Sequence, residues 1–124
     1  IDDVLKAKGM LDNDSQNYLS TLMASLEHKK SGDIFYEESN FDMAMAAYKK
    51  ALIVENIQQG KHHPDTGDVY ARIGKTLTKQ GDLKAACIEY GNALAIYAVT
   101  LGSDHPDTKD ALKQIQQLPT LMNR

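Results

Sequence analysis

Four residues, His-Pro-Asp-Thr, occur twice, at 63–66 and at 105–108, 42 residues apart. No gap is needed to carry one stretch onto the other. Sliding residues 25–66 onto 67–108 adds Gly32/Gly74, Ala44/Ala86, Tyr48/Tyr90, Ala51/Ala93, Leu52/Leu94 and Gly60/Gly102 to the four motif residues. A fixed period of about 20–50 residues is the signature of stacked repeats, in which each unit buries its apolar face only against its neighbours. The period points to an interaction scaffold before it points to an enzyme.

Within one period the apolar spacing is helical. Tyr70, Ile73, Gly74 and Leu77 share one face, and Gly81 suits a left-handed helix end because it has no Cβ. Asp82 is placed to cap a second helix with Leu83, Ala86, Cys87, Tyr90, Ala93, Leu94 and Tyr97 on its packing face. One copy earlier stand Gly32, Phe35, Phe41, Ala44, Met45, Tyr48, Ala51 and Leu52, with Ser39-Asn40 at the turn. There Asn40 is the residue expected to accept the left-handed region. One copy later Leu112, Ile115 and Gln116 take the first-helix positions, and Pro119 is expected to stop that helix.

The small residues Gly32, Gly74, Ala44 and Ala86 should let helices approach closely, with Tyr48 and Tyr90 filling the space beside them. His-Pro-Asp-Thr reads as a helix start. The residue before proline is pushed out of the helical region, proline fits the first turn, and aspartate favours the positive helix end. The chain divides accordingly as a single domain, 1–124, with an N-terminal helical extension (1–24), two repeats (25–66 and 67–108) and a capping helix with its tail (109–124). Ser15 to Ala24 should extend the first repeat helix backwards, and Ile1 to Leu11 are read as a short helix before it.

Composition narrows the function. A chain of 124 residues with 42% hydrophobic content builds one modest core. A net charge of −3 without a Lys/Arg run lacks the footprint of a nucleic-acid binder. No stretch approaches the ~20 apolar residues of a membrane span. Cys87, the single cysteine, is read as a buried apolar thiol in a reducing, intracellular compartment. The cytoplasm is the default address, and an organelle interior stays open because the chain starts at Ile1 and a targeting peptide could have been removed.

The Gly, Tyr and Ala-Leu positions of these helical hairpins resemble a tetratricopeptide repeat. The 42-residue period, with Leu101-Gly102-Ser103-Asp104-His105-Pro106-Asp107-Thr108 between hairpins, is similar to the kinesin-light-chain variety. The resemblance covers residues 25–118. It implies an all-α right-handed superhelix of antiparallel hairpins whose first helices line a concave groove for an extended peptide or a partner helix. By position it places Lys29, Asp33, Tyr36, Arg72, Lys75, Lys79 and Lys113 in the groove, with Leu26, Lys30, Glu37, Asp68, Ala71, Thr78, Asp110, Gln114 and Gln117 around them.

Periodicity alone sets Arg72, Lys75 and Lys79 opposite the packing face, as a solvated basic stripe that can be reversed in sign without cost to the fold. An acidic or mixed-charge segment is the expected ligand. Relatives that clamp a C-terminal carboxylate use paired Lys and Asn, whereas Lys29 with Asp33 and Asp110 with Gln114 stand here. Ala71-Arg72 replaces the two asparagines usual in kinesin-light-chain repeats, so a different ligand is implied.

Other motifs carry less. His-Pro-Asp also marks the J-domain co-chaperones, but its duplication at the repeat period is explained by the helix-start role. His62, His63 and His105 lack further ligands at metal spacing. Asp12, Asp14, Glu37 and Glu38 read as a polar loop and a solvated helix end. No phosphate loop or nucleophile–base pair is recognisable, so no catalytic residue, cofactor or metal site is expected. The expected function is a non-catalytic scaffold binding another protein. The alternative is a fixed subunit of a larger assembly, which the apolar Leu118, Leu121 and Met122 around Pro119 would favour if exposed.

Overall fold

The computed structural model describes residues 13–60 and 62–122, and these form five α-helices: α1 (Asn13–Glu37), α2 (Phe41–Gln58), α3 (Pro64–Gln80), α4 (Leu83–Thr100) and α5 (Pro106–Met122). Each packs on the next in chain order, so α1–α2 and α3–α4 are hairpins and α5 closes over the second. The helix expected to run back through residues 15–24 starts at Asn13. The short helix expected over Ile1 to Leu11 lies outside the described residues.

The starts and stops follow from local chemistry. Gly81 ends α3 at φ 83°, and the Asp82 carboxylate accepts from the Ala85 N–H at 3.3 Å to begin α4. At the first turn the left-handed residue is Ser39 (φ 60°), while Asn40 caps α2 by accepting from Met43 N–H. The expectation for Asn40 is thereby corrected: the cap needs a side-chain acceptor one residue after the left-handed position, and Asn40 supplies it. Both histidines of the doubled motif act as caps, the Nδ1 of His63 accepting from Asp65 N–H and that of His105 from Asp107 N–H, each at 3.1 Å. Thr66 is fully buried and its hydroxyl donates to the Gly60 carbonyl, tying the linker to the helix start.

Small residues bring the helices together as the pattern implies. Gly32 faces the ring of Tyr48, and a methyl group on Gly74 would lie 3.0 Å from the ring of Tyr90. Ala44, Ala51, Ala86 and Ala93 are completely buried. Between the hairpins Val69 and Ile73 of α3 pack against Ala44, Tyr48 and Ala51, each aliphatic side chain worth about 1.5–3 kcal/mol of burial. Cys87 is half-buried against the Ala86, Tyr90 and Leu118 cluster.

Two expectations fail at the C-terminal end. Pro119 does not stop α5, which continues to Met122. Proline deletes one N–H donor near the last turn, where Pro119 is exposed and the loss is small, while Leu118 before it is buried against Ala86 and Tyr90. Leu118 is for that reason part of the core and not of an exposed tail. Leu112, which occupies the Tyr70 position, stays 43% exposed because no described helix follows to cover that face of α5.

Candidate functional site

The groove-side positions of α3 and α5 frame an open cleft of about 340 Å³ whose floor is the second helix of the hairpin. Asp68, Ala71, Arg72 and Lys75 come from α3, Asp110 and Gln114 from α5, and Tyr90 and Tyr97 from α4. The first six lie on the expected groove face. From the sequence the two tyrosines read only as packing residues, although Gly67 and Gly74 opposite them signal that each ring reaches between helices.

Charges in the cleft are already organised. Arg72 donates from Nε to Asp33 Oδ1 at 3.1 Å, bridging α3 to α1, and Asp33 also accepts from the Tyr48 hydroxyl. Burial works against the Arg72 charge, but the hydrogen bond and charge of Asp33 outweigh it and hold the guanidinium above its ordinary pKa. Asp68 accepts from the Tyr97 hydroxyl. Burial raises its carboxyl above the usual value, against the opposing effects of that hydrogen bond and of Arg72. Burial, followed by these carboxylate bonds, pushes the phenols of Tyr48 and Tyr97 well above 10, and burial lifts Tyr90 to about 12.

The seven candidate residues therefore fall into different roles. Lys75 is exposed with its ammonium 4.5 Å from the centroid of the Tyr36 ring, a cation–π contact that joins the first two groove helices. Lys79 and Lys113 are exposed. Arg72 is half-buried and tied to Asp33, so it is not the freely solvated cation that periodicity implied, and a reversal there would set a carboxylate beside Asp33 and near Asp68. Lys29 is turned toward Glu55 of α2 at 3.5 Å, with only 12% of its side chain exposed. Ser25 donates to the same buried carboxylate. Those pairings depend on how the helices cross, which side-chain spacing along one helix does not encode.

This architecture of antiparallel hairpins with small-residue contacts defines a tetratricopeptide-repeat protein. Residues 66–107 match the model of the tetratricopeptide repeat. The chain is also 31% identical over 83 residues to kinesin light chain-related protein 3 of Arabidopsis thaliana, an alignment covering 67% of this chain and 12% of that relative. It belongs to the tetratricopeptide-repeat proteins of the kinesin-light-chain-like type. Such repeats generally mediate contacts between proteins. None of the described helices is long and apolar enough to cross a membrane.

Proposed function

We propose that this chain is a non-catalytic scaffold that receives an extended peptide or helix of another protein along α1, α3 and α5. The observation that carries this reading is the cleft between α3 and α5, where aromatic floor, carboxylates, Lys75 and the pinned Arg72 converge on one open face. Ala71 and the narrow exposed edges of Tyr90 and Tyr97 offer apolar contact, and the surrounding charges select an acidic or mixed-charge segment. Lys79 and Lys113 extend the basic character along the face, and Tyr36 with Lys75 marks its passage to α1.

An array of short extended peptides of acidic, mixed and basic composition tests the reading. Acidic or mixed peptides should bind, lose about tenfold or more in affinity with Lys75→Glu plus Lys79→Glu, and keep their affinity with Lys49→Glu plus Lys50→Glu on α2. Loss only with the outer pair would place the ligand on the other side of the array. A second reading, a subunit held permanently by neighbours in a larger assembly, is favoured by aliphatic side chains left bare on the outer helices, Ile57 at 74% and Val99 at 83% exposure.

A further inference from the structure

Both outer helices carry an exposed row that the groove does not use. On α2 it runs Met43, Ala46, Lys50, Ile53, Ile57, and on α4 it runs Ala85, Ile88, Asn92, Ala95, Val99, of which Ala85 alone is half-buried. The steps are three, four, three and four residues in each, the spacing of the contact seam of a coiled-coil helix. The two rows superpose under the 42-residue period, and each holds a single strongly polar residue at the same central place, Lys50 or Asn92. One Lys or Asn within an apolar seam is the device by which paired helices fix their register and partner.

The rows are bare. Ile53 is 60% and Ile88 64% exposed, and the main packing of α2 and α4 is on their chain neighbours, through the buried Ala44, Tyr48 and Ala51 of α2 and the buried Ala86, Tyr90 and Ala93 of α4. Beside the α4 row lies a second cleft, of about 280 Å³, walled by Asn92, Ala95, Ile96 and Val99 and reaching Tyr70 and His62. Isolated exposed aliphatics are ordinary, but apolar residues aligned at seam spacing along one helix face mark a contact surface.

Charge decides the occupant. Lys50 is exposed, and no ion pair to a described residue engages it, whereas its neighbour Lys49 already lies near Glu89 of α4. A second copy laid two-fold on the same α2 row would oppose Lys50 with Lys50, a repulsion that works against self-pairing. A carboxylate at that place on a different helix would pair with it.

We infer that the outer face of α2 and α4 docks an amphipathic α-helix of a second protein, one with apolar residues in three-four spacing and a Glu or Asp opposite Lys50. This site is separate from the groove, and either can exist without the other.

The probe is a synthetic helical peptide with leucine along its seam and glutamate at the central seam position, compared with a peptide differing only by lysine there. The wild-type chain should prefer the glutamate peptide about tenfold, and Lys50→Glu should invert the preference. Ile53→Asp plus Ile57→Asp should abolish binding of both without moving Tm, while Lys75→Glu plus Lys79→Glu should change nothing. No binding, a preference unmoved by Lys50→Glu, or loss through the groove pair would each overturn the inference. So would a dimer in sedimentation that Ile57→Asp dissolves.

Discussion

The ring of Tyr97 fills the space where a side chain on residue 67 would stand: a methyl group on Gly67 would lie 2.9 Å from its Cε1. In the first hairpin the equivalent places hold Ser25 and Glu55, and there the serine hydroxyl donates to the carboxylate. Gly67→Ser should thus cost on the order of 1–3 kcal/mol, and Gly32→Ala, against Tyr48, a similar amount. Gly91→Ala, where nothing stands within 4 Å, should instead stabilise by about 0.4–1 kcal/mol. Urea unfolding of the three variants checks the order. Equal midpoints would show that these glycines do not set the helix separation.

Asp33 serves two donors of unequal worth. The ion pair with Arg72 is about half exposed on the Asp33 side, 49% of that side chain, so it contributes at most about 1 kcal/mol. Tyr48 is buried, and stranding its hydroxyl is the larger effect. Asp33→Ala should cost about 1–3 kcal/mol in the wild type but no more than about 1 kcal/mol in a Tyr48→Phe background. A double-mutant cycle without that coupling would remove Asp33 from the core network.

Tyr48, Tyr90 and Tyr97 all hold their protons more tightly folded than unfolded, with burial as the leading cause. Their contribution is complete below the unfolded value of about 10 and falls as pH rises beyond it, Tyr90 losing its share by about 12. Stability should be level across neutral pH and drop steeply in strong alkali. Tyr97→Phe should flatten that drop. Tyrosinate absorbance followed together with Tm checks this, and ionisation of these three tyrosines at the ordinary tyrosine pH in the folded chain would contradict it.

How much of this could be read from the sequence depends on whether a feature is local or crosses between helices. The doubled motif, the glycine–tyrosine contacts and the Gly81-Asp82 junction depend on residues a few positions apart or on a period, and both are visible in one line of text. Ser39 instead of Asn40 takes the left-handed position because two adjacent polar residues divide the turn and the cap between them. Pro119 does not end its helix because a proline on an exposed face near a helix end loses little. The pairing of Arg72 with Asp33, of Lys29 with Glu55 and of Lys75 with Tyr36 joins residues of different helices. Their distances follow from the crossing of the hairpins, to which spacing along a single helix is blind. The outer rows are present in the sequence as a spacing, but their exposure follows from which helix faces pack together.

The exchange of Ser25 and Glu55 for Gly67 and Tyr97 makes the two hairpins unable to substitute for each other. A repeat chain can mispair by one whole period, since its backbone would fit nearly as well in the wrong slot. Here such a slip would drive the Tyr97 ring into Ser25. It would also leave Glu55 facing Gly67 and Ala71, without the hydroxyl and ammonium that now hold it, and stranding a buried charge costs about 3–5 kcal/mol. The buried carboxylate thus labels its own hairpin, and a chain whose halves look alike carries an address that tells the first from the second as it folds.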